Sequence, residues 1–325
     1  MLPSRRGCFC CSGSRPQLYN REVATAVDSA FHEASLATPS SRLGVLEAWH
    51  LLSLDAPTVA ALWSWFFAQA MRIRLPWHAP LLLALGTWLI YVADRLLDGF
   101  RPGPATQLKL RHLFHVRHAW AFLGTALLVG GVVIWLISSR MTAPARHEDT
   151  VLFLVALLYL FLVHKSKAFP GQRLPKELCV GVVFAAACAV PAWSRLGSGR
   201  LALFPTVTLF AALCWLNCVA IERWENPPRP GSETLATSHA STLWTADHFQ
   251  GVALALAAFS AGLAVLQVLG RPASPRLVLV SLSASTTALL FARIDRIRTN
   301  LSPTELRIAA DLMLLTPLFF VPFLV

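Results

Sequence analysis

Charged residues are scarce in this chain. Only 14% of its 325 residues are Asp, Glu, Lys or Arg, which is well below the roughly 25% that soluble domains carry. Hydrophobic residues make up 55%, and the mean hydropathy is +0.56. A soluble core of this size cannot bury that much apolar surface. The composition excludes an ordinary soluble enzyme, a disordered chain and a secreted disulfide scaffold, and it predicts an all-α polytopic membrane protein.

Several familiar signatures are missing as well. The seven cysteines show no disulfide framework, because Cys8, Cys10 and Cys11 cluster near the N-terminus and the other four lie in apolar runs. For the cluster, metal binding and acylation are alternatives to reduced thiols in a disordered tail, which we favour. No signal peptide is predicted, since residues 12–20, after Arg5 and Arg6, are polar. No phosphate-binding loop, dinucleotide fingerprint or nucleophile elbow occurs in a suitable context.

Long apolar stretches are abundant, and a membrane helix needs about 20 such residues. Nine stretches qualify, at 54–73, 78–97, 118–137, 150–164, 177–194, 201–221, 248–268, 277–292 and 308–325. Residues 46–325 are therefore predicted to form one transmembrane domain, and residues 1–45 a polar, disordered tail. Within 41–53, Leu43, Leu46, Trp49 and Leu52 share one face, which predicts a helix lying in the membrane interface.

The basic residues are distributed unevenly between the two sets of loops. Twenty of the 28 Lys and Arg residues fall in the N-terminal tail and in every second loop, and eight fall in the alternate loops. Lys and Arg accumulate on the cytoplasmic side of membrane proteins, so we predict a cytoplasmic N-terminus and an external C-terminus. The net charge of +11 is then a consequence of topology and gives no argument for a nucleic-acid partner.

Two pairs of carboxylates stand at the predicted cytoplasmic ends of membrane helices. Asp94 and Asp98 end the second span, and Glu222 and Glu225 end the sixth. Both spacings place the two carboxylates of a pair on one helix face, and carboxylates near lipid usually mark a site. Four converging carboxylates would repel one another unless cations bridged them, and Mg²⁺ suits oxygen ligands shared with phosphate. The alternative is that they are helix-end charges held at the interface by neighbouring arginines.

In their order along the chain, these segments resemble the UbiA superfamily of intramembrane prenyltransferases, which have nine transmembrane helices and acidic motifs on the second and sixth. The first motif, N-D-x-x-D-x-x-x-D, is matched at Asp94, Arg95 and Asp98, whereas Ile90 and Tyr91 replace its first two residues. The run Glu222-Arg223-Trp224-Glu225 is similar to the second motif with glutamates in place of aspartates.

Two further segments carry the resemblance. Leu54-Asp55-Ala56-Pro57 resembles the L-D-K-P run that opens many members, with Ser53 where an Arg usually precedes it. The fourth loop contains Lys165 and Lys167 and continues as L-P-x-x-x-x-x-G-x-x-F over 174–184, which is similar to the basic loop of the family.

The resemblance implies a function and its residues. An isoprenyl diphosphate would bind through Mg²⁺ held by Asp94, Asp98, Glu222 and Glu225, which would also be the catalytic residues. The resemblance places substrate contacts at Arg95, Lys165, Lys167, Tyr91 and Asn217. The prenyl group would pass to an aromatic or lipid acceptor within the membrane. Because Tyr91 replaces a metal-binding Asp, a non-catalytic or transport-type protein on the same fold is the alternative.

Aromatic side chains in the spans are candidates for stabilising a developing carbocation, although packing or an interface belt is the simpler interpretation of each. They are Trp63, Trp65, Phe66, Trp88, Tyr91 and Trp215.

Three other groups invite a prediction. His112, His115 and His118 precede the third span at three-residue spacing. A metal site is conceivable, but the histidines diverge over two helical turns, so we favour an interfacial basic segment. Arg307 and Asp311 are predicted to form a structural ion pair, and Asp295 with its neighbour Arg296 a solvated face.

Overall fold

The computed structural model describes residues 44–100, 110–143, 175–197, 199–225, 239–270 and 275–324, together with 146, 147, 150, 151 and 154. All regular structure within these ranges is helical, which confirms the predicted all-α class. The predicted tail with Cys8, Cys10 and Cys11, and the loop with Lys165 and Lys167, lie outside the described residues.

The helices of the described ranges are numbered here in chain order. They are α1 (Gly44–Leu51), α2 (Asp55–Ala70), α3 (His78–Gly99), α4 (Leu110–Arg117), α5 (Ala119–Arg140), α6 (Lys176–Trp193), α7 (Arg200–Glu225), α8 (Ala240–Asp247), α9 (Phe249–Leu269), α10 (Pro275–Ile297), α11 (Pro303–Met313) and α12 (Pro317–Phe320).

Seven helical segments of the described chain are long and apolar enough to cross a membrane. They are α3, α5, α6, α7, α9, α10 with the turn after it, and the segment Pro303–Phe323 that contains α11 and α12. The pair α1 and α2, bent by 87°, gives an eighth if it counts as one span. The predicted count of nine is therefore not confirmed, and most of the predicted span at 150–164 lies outside the described residues.

The sharp corner between α1 and α2 directs polar side chains into the protein. Ser53 has a φ of +61°, a left-handed conformation that is uncommon for a residue other than glycine. The corner buries His50, Ser53 and Asp55, with Asp55 only 1% exposed. Leu46 of α1 and Leu52 just after it, both on the predicted interfacial face, remain exposed, whereas His50 of α1 is buried. The helix therefore has an apolar outer side and one polar residue that points inward.

The main apolar core lies among α2, α6, α7, α9 and α10. Trp63 stacks on Phe210 with ring centroids 3.9 Å apart, and its indole N–H donates to the Leu314 carbonyl at 2.7 Å. That carbonyl lies at the break between α11 and α12, where a helical partner is lacking. Phe66 is fully buried in the same core. Trp63 and Phe66 are therefore packing residues here.

Asp295 is not on a solvated face, so that prediction is wrong. The residue is 4% exposed, although the adjacent Arg296 is exposed. Arg298 and Gln250 donate to its carboxylate at 2.6 and 3.0 Å. The remaining donors are Trp224 at 2.9 Å and Arg223 at 3.0 Å. Because the end of α10 packs against α7 and α9, donors from three helices surround a carboxylate that local sequence places at a helix end.

Helices α6 and α7 lie in close contact at Gly181, within the L-P-x-x-x-x-x-G-x-x-F run. A Cβ built there would lie 2.8 Å from both the Ala211 carbonyl oxygen and the Trp215 amide nitrogen. Small residues permit such backbone contact between membrane helices. The glycine is thus required by packing, whatever else this segment does.

We expect Gly181→Ala to lower the free energy of unfolding by about 1–3 kcal/mol, because backbone atoms cannot yield to the added methyl. Gly262→Ala is the matched control, since a Cβ at Gly262 meets nothing within 4 Å. Unfolding in mixed micelles of increasing SDS content measures both variants. Equal stability of the two variants would contradict the close approach.

Candidate functional site

A group of buried charges lies where α1, α2 and α3 meet. The Asp55 carboxylate accepts from His50 Nδ1 at 2.9 Å and pairs with Arg95 Nη2 at 3.4 Å. Arg95 also donates from Nη1 to the His50 carbonyl at 2.8 Å. Arg95 is 3% exposed and His50 is also 3% exposed. A buried arginine and a buried carboxylate are tolerated because each offsets the charge of the other.

A second set of charges, partly buried apart from Asp311, joins α4, α7 and α11. Glu225 pairs with Arg111 at 3.1 Å and with Arg307 at 3.7 Å. Arg307 Nε lies 3.7 Å from Asp311 Oδ2, which confirms the predicted i, i+4 ion pair. Asn217 donates from Nδ2 to Asp311 Oδ1 at 3.3 Å.

The two sets form one continuous network. A ligand atom from each of His50, Asp55 and Asp311 lies within 4.8 Å of the other two, so Asp311 links the Glu225 side to the Asp55 side. We call the six charged residues Asp55, Arg95, Arg111, Glu225, Arg307 and Asp311 the acid–arginine cluster. Its three arginines and three carboxylates balance in formal charge. The cluster also joins the C-terminal ends of α3 and α7, the two helices that carry the acidic motifs.

The structure brings some of the predicted site residues into this region. Arg95 and Glu225 belong to the acid–arginine cluster, and Asn217 bonds to it. The Arg95 guanidinium lies over the Tyr91 ring, 6.0 Å from its centroid. The predicted substrate contacts Arg95, Tyr91 and Asn217 are thus near one another, although substrate binding by them stays a prediction.

The four predicted metal ligands are not gathered into one group. Asp94 is exposed, and Asp98 and Glu222 are half-buried. Within the described residues, the group of three or more ligating side chains that could hold a metal is His50, Asp55 and Asp311. No three of Asp94, Asp98, Glu222 and Glu225 form such a group there, and the Mg²⁺ assignment to them stays a prediction.

Sequence reasoning did not identify His50 and Arg111 as site residues, and it used Asp55 and Asp311 only as part of a motif and an ion pair. The available signal was a carboxylate at each end of the transmembrane domain, inside or beside an apolar run. Nothing in the spacing shows that residues 55 and 311 meet, because their contact depends on how the first and last helices pack.

Within the described residues, the three histidines of 112–118 do not form a metal-binding group, and two of them, His112 and His115, are buried. His115 Nδ1 donates to the Arg111 carbonyl at 2.8 Å, so its Nε2 accepts from the Ser53 hydroxyl at 3.0 Å. His112 Nδ1 lies 3.4 Å from the Arg95 carbonyl. Burial lowers the pKa of His112 and of His115 to about 4. Both are neutral at pH 7 because α4 packs inward on α3, and His118 is the exposed member of the set.

An apolar groove lies on the outer side of α2 and α3. Its volume is about 840 Å³, and its lining includes Leu54, Ala61, Trp65, Ala84, Trp88 and Val129. The polar side chains in the lining, apart from the two indoles, are Thr58 and Thr125. Trp88 donates its indole N–H to the Leu52 carbonyl at 3.0 Å, which fixes the ring at the edge of the groove.

One stripe of α3 connects the groove with the acid–arginine cluster. Ala84 and Trp88 line the groove, and Arg95 lies in the cluster. Tyr91 stands between Trp88 and Arg95, with successive spacings of three or four residues that keep all four on one helix face. An apolar surface and a cationic one therefore follow each other along a single helix.

Comparison with known protein families, with curated proteins and with solved structures returned no match. A function is therefore inferred from the acid–arginine cluster, the groove and α3, the helix that joins them.

We expect acid to destabilise the protein partly through His112 and His115. Because their folded pKa of about 4 lies below the ordinary value of about 6.5, the unfolded chain takes up protons first. Their contribution is complete above about pH 6.5 and is lost as the pH falls toward about 4. His115→Gln should flatten the decrease in the thermal midpoint between about pH 7 and 5.

Thermal unfolding in detergent, followed by tryptophan fluorescence, measures this slope. His118→Gln is the matched control, since it removes an exposed imidazole from the same segment. An equal slope in wild type and His115→Gln would show that the His115 pKa is not lowered.

Proposed function

We propose that this chain is an intramembrane transferase of the UbiA-like type. In this proposal it uses Mg²⁺ to transfer a prenyl group from an isoprenyl diphosphate to an aromatic or lipid acceptor. The observation that carries the proposal is the stripe on α3, which runs from an apolar groove to the buried Arg95. An isoprenyl diphosphate has the same two parts in the same order, an apolar chain and a compact anion.

The groove supports the apolar half of this proposal. Its volume of about 840 Å³ is within the roughly 300–1,000 Å³ of ordinary ligand sites, and its lining is almost wholly apolar. The groove is not enclosed, so in this proposal an isoprenyl chain enters it from the membrane. Ala61 and Ala84 are its small lining residues, and they leave room where larger side chains would fill it.

The acid–arginine cluster supports the anionic half. Arginine presents a planar fork of donors that matches phosphate oxygens. In the reaction, the allylic C–O bond breaks and its electron pair leaves with the diphosphate. The resulting carbocation alkylates the acceptor, which then loses a proton. Arg95 and its neighbours Arg111 and Arg307 would stabilise the charge that builds on the leaving group, and the faces of Trp65 and Trp88 would stabilise the cation.

The metal ligands are the part of the proposal in which sequence and geometry favour different residues. Mg²⁺ at Asp94, Asp98, Glu222 and Glu225 follows from the resemblance. Glu225 is already paired with Arg111 and Arg307, so it would have to exchange these partners for the ion. Measuring the Asp94→Asn and Glu222→Gln variants separately from the cluster variants decides which carboxylates the reaction needs.

We expect the purified chain, in nanodiscs containing native lipid extract, to release pyrophosphate from at least one isoprenyl diphosphate in a Mg²⁺-dependent manner. Ala84→Phe should shift the preferred chain length toward shorter substrates, because the added ring occupies the groove. Arg95→Lys should reduce release by about tenfold or more, because it keeps the charge and loses the bidentate fork.

The matched control is Asp247→Asn, which neutralises an exposed carboxylate at the end of α8 and should leave release unchanged. Pyrophosphate is assayed with a coupled enzyme, and the prenylated product by mass spectrometry. The proposal is wrong if no isoprenyl diphosphate is either bound or consumed. Unchanged diphosphate binding in Asp94→Asn and Glu222→Gln would remove those residues from the site.

A transport function is the alternative, and one observation favours it. The last span is broken between α11 and α12, where Thr316 contacts the hydroxyls of Ser283 and Thr287. Broken helices with polar groups inside a bundle are typical of secondary transporters. Substrate flux into proteoliposomes without pyrophosphate release would select this function over transfer.

A further inference from the structure

Two buried oxygen atoms beside the acid–arginine cluster have no hydrogen-bond donor. They are Asp311 Oδ2 and Asn217 Oδ1, and each residue is only 8% exposed. Arg307 Nε lies 3.7 Å from Asp311 Oδ2, beyond hydrogen-bond reach. Buried polar atoms normally have partners, and an orphan needs an explanation. Arg307 Nε is likewise without a hydrogen-bond partner, so the arginine does not satisfy Asp311 Oδ2. A bound cation would give these acceptors a partner.

The nearby side chains form a suitable set of ligands. His50, Asp55 and Asp311 each offer an atom within 4.8 Å of the other two. The His50 Nδ1 and Asp55 Oδ2 atoms are 2.9 Å apart. This is the hydrogen bond in which His50 Nδ1 donates to Asp55, so a bound ion would replace the shared proton. The two atoms would need little movement, because two ligands about 2.1 Å from one metal and at right angles to each other are about 3 Å apart.

The site is assembled from four parts of the chain. His50 ends α1, Asp55 begins α2, Asn217 lies in α7, and Asp311 lies in α11. The left-handed turn at Ser53 is what brings His50 and Asp55 to the same side. Asn217 is tied to Asp311 by the bond from its Nδ2 to Asp311 Oδ1, and its own Oδ1 has no hydrogen-bond partner. The ligands are held by helices rather than by a mobile loop, which favours a defined coordination geometry.

We propose that His50, Asp55 and Asp311, with the Asn217 amide oxygen, bind one divalent transition-metal ion of the Mn²⁺ or Zn²⁺ class. Imidazole nitrogen suits transition metals, and carboxylate or carbonyl oxygen suits harder ions such as Mn²⁺. A site with one imidazole nitrogen and three oxygens therefore favours Mn²⁺ or Zn²⁺ over Mg²⁺. The ion also separates the Asp55 and Asp311 carboxylates, which otherwise repel each other. The metal site is inferred from these contacts and does not depend on the proposed transfer reaction.

The charge balance adds a second consequence. The acid–arginine cluster is neutral without the ion, so a bound metal leaves an excess charge of +2 in a buried place. An anion with several oxygens offsets this excess and can complete the coordination. Inorganic pyrophosphate should therefore strengthen metal binding, and the metal should strengthen pyrophosphate binding by the same factor.

The test uses the full chain, stripped with a chelator and held in nanodiscs without any isoprenyl substrate. We expect Mn²⁺, followed by loss of the free-ion paramagnetic resonance signal, and Zn²⁺, followed by calorimetry, to bind with a stoichiometry of one. Asp311→Asn and His50→Gln should each weaken binding by about tenfold or more, since changing even an outer partner of a metal ligand costs that much. Asp247→Asn and His118→Gln are the matched controls.

Asn217→Asp keeps the result decisive if a loss-of-ligand variant fails to fold. It replaces an amide oxygen with a carboxylate of the same size, so metal should bind more tightly than in wild type. The site is overturned if wild type holds no stoichiometric metal, or if Asp311→Asn and Asp247→Asn bind it equally. Metal binding without pyrophosphate release keeps this site and removes the transferase proposal. The opposite result keeps the transferase proposal and removes this site: wild type binds no Mn²⁺ or Zn²⁺, and Asp311→Asn releases pyrophosphate as wild type does.

Discussion

The structure around the acid–arginine cluster depends on one constraint, which is that buried charges must neutralise one another. Breaking a buried ion pair by removing one member costs about 3–5 kcal/mol, whereas the intact pair itself adds little or nothing to stability. The partly buried pairs that link Arg111, Glu225, Arg307 and Asp311 make the same demand at a smaller cost, namely that α4, α7 and α11 stay together. Apolar residues of similar volume would meet the packing need without this demand. Retaining charges at such a cost is typical of functional sites in membrane proteins.

The corner between α1 and α2 is what makes this arrangement possible. Ser53 adopts a left-handed conformation and bonds to His115, so the strain of the turn is held by a contact to α4. His50 and Asp55 then face Arg95 rather than lipid. The same corner leaves Leu54 on the opposite side, at the edge of the apolar groove. One turn of backbone thus assigns neighbouring residues to a polar interior and to a lipid-facing surface.

The proposals for transfer and for a transition-metal site depend on different observations. Transfer rests on the α3 stripe that joins the groove to Arg95, and the metal site rests on two orphaned acceptors beside His50 and Asp55. Their common element is the excess charge that a metal would introduce into a balanced cluster. If both hold, the ion and the arginines would share the diphosphate.

Helices apolar enough to span a membrane, most of the helical segments and the ion pair of Arg307 with Asp311 could be predicted from the sequence alone, because hydropathy and i, i+4 spacing are local properties. Motifs in the sequence also singled out Gly181 and Asp55, although they do not show what either residue does physically. The packing of the helices was needed to show that Asp295 is buried, that His112 and His115 are neutral, and that Asp55 and Asp311 lie near each other. The physical reason is the same in each case. Burial and the partners of a charge depend on helices far apart in the chain, and no spacing within one helix encodes them.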